Sequence, residues 1–147
     1  MNQTNTRILK ISADRRKIIN KCLAILATSV ARIKKQGCGC SIPGQGAVYK
    51  NGRIRDAIAI LLPPSVIHNG TYGEISAPEQ SYIVNRIGKL YSVYLDNAIE
   101  RDFLKTFLQR LQDAHDNAFD GFNHVEGDRM EFFITETEKI KDWLNAS

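Results

Sequence analysis

The sequence predicts an α+β fold that is mostly α, with about four longer helices plus one short helix around a small β-hairpin. Three observations predict it. Four stretches repeat apolar residues at helical spacing. The dipeptide Asn51-Gly52 lies between two short alternating arms, and Asn-Gly is the strongest two-residue hairpin signal because both turn positions need positive φ. A short apolar run, Ala57 to Leu62, is closed by Pro63-Pro64, and proline can neither continue helical hydrogen bonding nor leave its predecessor free to do so.

The elements follow in order. Ser12 is placed to cap the first helix, and Ile18, Ile19, Cys22, Leu23, Ile25, Leu26, Ser29, Val30 and Ile33 keep the spacing to about Lys35, with Gly37 just beyond. Residues 1–11 are expected to form a flexible N-terminal segment of a single domain spanning 1–147. In the hairpin, Val48-Tyr49-Lys50 runs into Asn51-Gly52 and Arg53-Ile54-Arg55 runs out. Alternation puts Tyr49 and Ile54 on one face and Lys50, Arg53 and Arg55 on the other. Asp56 suits the N-cap of the short helix. Ser76-Ala77-Pro78-Glu79 has capping-box spacing with proline in the first turn, ahead of a helix carrying Tyr82, Ile83, Ile87, Leu90, Tyr91 and Tyr94. A third helix is expected from about Ala98 to Phe119, and a last one from near Asp128, where Asp128 and Glu131 repeat the capping-box spacing. The expected core is Ile18, Leu23, Leu26, Val30, Ile58, Leu61, Leu62, Ile87, Leu90, Phe107, Leu111 and Trp143.

Composition narrows the function classes. With 147 residues, 43% of them hydrophobic, the chain is long enough to bury a sizeable core. The longest apolar run falls far short of the ~20 residues that a membrane span needs. The first residues lack the apolar stretch of a secretion signal. The three cysteines, Cys22, Cys38 and Cys40, then suit reduced thiols in a cytoplasm. Charge is polarised: Met1–Lys35 carries +8, Gln36–Leu95 +2 and Asp96–Ser147 −6. Such asymmetry supports either anion binding or pairing between copies, and in the plainer reading the two ends are simply solvated.

The stretch Gly37–Pro64 concentrates glycines, the turn signal and basic residues. It also contains Tyr49, Asn51-Gly52 and Ala57-Ile58-Ala59-Ile60-Leu61-Leu62-Pro63; further on comes Leu111-Gln112-Asp113-Ala114-His115-Asp116. In this order the two runs resemble small, mostly uncharacterised phage and prophage proteins. Those carry a tyrosine strand, an Asn-Gly turn, Cys-Ala-Ile-Gly-x-Leu-Ile-Pro and a late Leu-Gln-x-x-His-Asp helix. The resemblance implies a phage origin, and with it the cytoplasm of a bacterial host. The chain departs at Asp56, where the pattern has cysteine, and at Ala59, where it has glycine. The first departure argues against chemistry that would need the cysteine.

No catalytic residue, metal set or cofactor is assigned. Cys38-Gly39-Cys40 is spaced too closely for a usual zinc pair, and His68, His115 and His124 stand apart from it. His115 and Asp116 are helix neighbours and point ~100° apart, so a packed histidine is favoured over a general base. Gly44-Gln45-Gly46 lacks the lysine and the longer frame of a P-loop, which leaves a plain turn or a backbone anion cradle. The expected ligand-binding set is Lys35, Gln45, Tyr49, Lys50, Arg53 and Arg55, with Lys34 nearby. Arginine matches phosphate oxygens in pairs, and Tyr49 stacks on a base if it faces outward instead of packing.

Three readings follow. The first is a phage counter-defence protein that sequesters a small anionic nucleotide-derived signal without turnover. The second is an inhibitor or adaptor that docks on a host protein. The third is a nucleic-acid-binding module, set back because the helix after the hairpin is apolar rather than basic. Homo-oligomerisation is expected and membrane insertion is not.

Overall fold

The structure, a computed structural model, describes residues 3–37, 39–42, 46–49, 56–63, 81–93, 96–120 and 124–147. Among these, four α-helices make the body: α1 (Gln3–Gln36), α2 (Ser81–Leu90), α3 (Ala98–Phe119) and α4 (Arg129–Ala146). A 3₁₀ turn, Ala59–Leu61, lies between α1 and α2.

The fold is all-α, which corrects the α+β expectation. The buried hydrophobic side chains come from α1 to α4, from the stretch Ala57–Leu62 and from Val93. Among the described residues no hairpin about Asn51-Gly52 is seen. The extended pairing described is a short antiparallel ribbon, β1 (Gly39–Ile42) with β2 (Gly46–Tyr49), too small to form a layer of the fold. In it Val48 pairs with Cys40 and Tyr49 with Gly39, not with the arm after Gly52. Residues 50–55 lie outside the described residues. The physical reason for the all-α body is burial: the helical stripes carry the continuous core, and a two-stranded ribbon is too small to supply one.

Helix α3 spans the expected range, and its stripe of Leu104, Phe107, Leu108, Leu111, Ala114, His115, Ala118 and Phe119 is buried. Asn97 starts it, its side-chain oxygen accepting from the N–H groups of Ile99 at 2.9 Å and Glu100 at 3.2 Å. Asp128 starts α4 as its spacing suggested, accepting from the Glu131 N–H at 3.0 Å. Phe103 stacks on Trp143 at one end, and Phe119 meets Phe133 at the other, so α3 and α4 run antiparallel. Arg129 closes the corner by donating to the carbonyls of Ala118 and Asp120.

Three elements depart from expectation. Helix α1 begins at Gln3, so Ser12 lies inside it and does not cap it. The short apolar helix is reduced to the 3₁₀ turn, although Asp56 does cap it, accepting from the N–H groups of Ile58 and Ala59 at 2.9 and 2.7 Å. The described part of α2 runs from Ser81, and the capping box at Ser76–Glu79 lies outside the described residues.

Helix α2 ends in a Schellman turn. The Val93 N–H donates to the Gly88 carbonyl at 2.8 Å and the Ser92 N–H to the Lys89 carbonyl at 3.4 Å, with Ser92 in the left-handed region at φ 56°. Lys21 of α1 donates to the Ser92 carbonyl. Val93, just after the turn, is buried while Leu90 is 55% exposed. The expected core is therefore corrected at Leu90. Leu23, Val30 and Trp143 are partly buried against the core, and the other expected members are buried.

Candidate functional site

Both ends of the stretch 38–55 are held by the last turns of α1. At the first end, Gly37 has φ 96° and donates to the Ile33 carbonyl at 3.0 Å. That is the αL cap, which ends a helix where a side chain would be strained. At the second end, Asp56 caps the 3₁₀ turn, and α1 grips the carbonyls that follow. The Ser29 hydroxyl donates to the Ala57 carbonyl at 2.6 Å, and Arg32 Nη1 donates to the Ile60 carbonyl at 3.0 Å. Ser29 is fully buried, and Ala57, Ile58, Ile60, Leu61 and Leu62 are buried around it. The chain thus leaves α1 at Gly37 and returns to it one to two turns earlier.

The expected ligand-binding residues fall on and beyond this root. Lys35 is exposed in the last turn of α1, next to exposed Lys34. Both also oppose the negative end of the helix dipole, which is sufficient structural reason for lysine there. Tyr49 closes β2, its backbone paired with Gly39. Gln45, Lys50, Arg53 and Arg55 lie outside the described residues. The root therefore brings Lys34, Lys35 and the two ends of the stretch together.

Other chemical candidates resolve into structural roles. His115 is 2% exposed and packs against Phe119 and Phe133, with ring centroids 4.9 and 5.9 Å away. Its Nδ1 is 3.8 Å from Asp116 Oδ1, beyond hydrogen-bonding reach. The imidazole works as an aromatic link between α3 and α4. The Cys22 thiol is buried, and burial pushes its pKa up to about 12, so it stays protonated and unreactive at neutral pH. Among the described residues no group of three or more His, Cys, Asp or Glu side chains is arranged to hold a metal ion, and no helix is long and apolar enough to cross a membrane.

Sequence reasoning missed two features of the root. Ser29 reads as one more small residue on the apolar stripe, yet it supplies the buried anchor. Arg32 reads as part of a basic helix end, yet it is spent on a carbonyl. No local signal marks either role, because the carbonyls they hold lie 28 residues away in sequence. Elsewhere, a groove of about 430 Å³ lies between α1 and α4. Comparison of the chain with protein-family models, with curated proteins and with solved structures returns no match.

Proposed function

We propose that this chain is a phage-encoded binding protein that captures a small anionic, nucleotide-derived signal and holds it without turnover, in a counter-defence role. The observation that carries the reading is the double anchoring of 38–55 on α1, by Gly37 at one end and by Ser29 and Arg32 at the other. It fixes the ends of a stretch whose sequence contains Lys50, Arg53 and Arg55, and the first of those ends directly follows the exposed Lys34 and Lys35. Anchored ends reduce the chain entropy that a ligand must remove on binding. Guanidinium groups match phosphate oxygens in pairs, and glycine-rich backbone lets N–H groups approach an anion. The sequence resemblance to small phage proteins supplies the biological setting.

The test is a thermal-shift screen of the full chain against linear and cyclic nucleotides. A ligand at ~100 times its dissociation constant adds ~2.7 kcal/mol to native stability, a shift that is easily read. Chromatography of the recovered ligand then reports whether it is unchanged. A chain that is stabilised by none of the panel, or that converts the ligand, overturns the reading.

A further inference from the structure

Helix α1 is buried along one side, where Cys22, Ile25, Ser29 and Ile33 face the core. At ~100° per residue, the opposite arc takes Arg16 and Lys17 near one end and Lys34 and Lys35 near the other, all four exposed. The two pairs lie about five helical turns apart, ~27 Å along the axis, and so return to the same rotation. Within each pair the side chains diverge by ~100°, so one cation leans to each flank of the arc. Between the pairs the arc carries Asn20, Ala24, Ala27 and Ala31, uncharged and exposed. From Arg16 to Lys35 the sequence has no Asp or Glu. Glu138 of α4 borders the arc beside Lys34, and Lys141 offsets it. Among the described residues none of the four cations is in an ion pair. The helix dipole accounts for lysines in the last turn, but Arg16 and Lys17 stand mid-helix, where it gives no reason for them.

We propose that this arc docks in the major groove of double-stranded DNA, with the two basic pairs on the phosphate backbones. Two rows of phosphates flank a groove about 12 Å wide that admits an α-helix, and each pair offers one cation to each row. Small side chains along the midline let the helix sit close to the groove floor. There alanine can touch a thymine methyl, and Asn20 carries the donor and acceptor that match adenine. Charge favours this approach: Asp96–Ser147, which supplies α3 and α4, carries −6, so a polyanion is steered toward α1. A-form RNA has a deep, narrow major groove closed to such contacts. Most of the contact is to phosphate, which positions the helix without reading sequence. Lys34 and Lys35 also stand beside the root of 38–55, so the test is made at Arg16 and Lys17, which the ligand reading does not use.

The experiment titrates the full chain into a labelled DNA duplex, read by fluorescence anisotropy from ~50 to ~200 mM salt. Four phosphate contacts give a fall of log affinity against log salt with a slope of ~−3.6. Arg16→Gln with Lys17→Gln should reduce the size of that slope by ~2 and weaken binding at least ~10-fold at low salt. Both positions are exposed, so circular dichroism and the thermal response to nucleotides should match the parent. Lys139→Glu on α4, exposed and paired with Glu136, makes the same change in net charge and should leave slope and affinity near the parent's. A parent that binds no duplex overturns the inference, as does one that binds double-stranded RNA or phosphatidylserine vesicles as tightly as DNA. So does a Lys139→Glu variant weakened as much as the paired variant, because net charge alone would then explain the binding.

Discussion

The Ser29 hydroxyl and the Ala57 carbonyl are joined by a 2.6 Å hydrogen bond in a fully buried setting. The bond ties the last turns of the long first helix to the point where the chain returns from residues 38–55. A buried carbonyl with no donor costs the full desolvation of that group, so this contact decides whether Ala57–Leu62 can stay against α1.

Ser29→Ala should therefore destabilise the protein by ~1–3 kcal/mol, read by urea or thermal unfolding. The loss should exceed that of Thr28→Ala one residue earlier, since the Thr28 hydroxyl donates only to the Ala24 carbonyl of its own helix, at an exposed site.

Ser92→Gly should do the opposite. Ser92 sits at φ 56°, where an L side chain costs roughly 1–2 kcal/mol that glycine avoids. Glycine's greater freedom in the unfolded chain takes back ~0.5–1 kcal/mol. The expected net is a small gain in unfolding midpoint, with the Lys21 contact kept because it is made to the backbone.

Leu111→Ala should cost ~2–5 kcal/mol, because Leu111 is fully buried on α3. Arg110→Ala, one residue earlier and exposed, should cost far less. It should instead change the fluorescence of the only tryptophan, Trp143, over whose ring the Arg110 guanidinium lies at 4.2 Å.

Cys22 makes stability fall at alkaline pH. Its thiol ionises near 9.0 when unfolded and near 12 when buried. Between those values the folded chain holds more protons than the unfolded one, so stability decreases as pH rises; below about pH 9 this contribution is constant. Compared with the parent, Cys22→Ala should lose less stability from pH 9 to 12 in urea titrations. In a Cys38→Ser, Cys40→Ser variant the remaining thiol should resist alkylation until denaturant is added.

Much of the helical frame was legible because local signals and burial agree. Asp128 and Glu131 mark the start of α4, Asp56 marks the turn before Ile58, and the 3.6-residue period of Leu104 to Phe119 gives α3. The errors come from places where a local signal had no packing behind it. Asn51-Gly52 is a turn signal in the sequence, but a turn signal does not make a sheet layer, and the extended residues described, Gly39–Ile42 and Gly46–Tyr49, pair with each other. Ser12 resembles a cap, yet nothing near it breaks the helix, and α1 continues back to Gln3. Leu90 follows the stripe of α2, but the chain reverses just after it and Val93 takes the buried place. Of the expected site, Lys35 and the two ends of the stretch could be placed at α1. The anchors Ser29 and Arg32 could not be foreseen, because what they hold becomes adjacent only in the folded chain.

The most direct test of the account is calorimetric titration of the strongest nucleotide hit into the parent and into Arg53→Ala and Arg55→Ala, tested separately. The account predicts saturable binding by the parent and at least ~10-fold weaker binding by each variant, equivalent to ~1.4 kcal/mol, with unchanged unfolding midpoints and ligand recovered intact. Equal affinity in parent and both variants would contradict it.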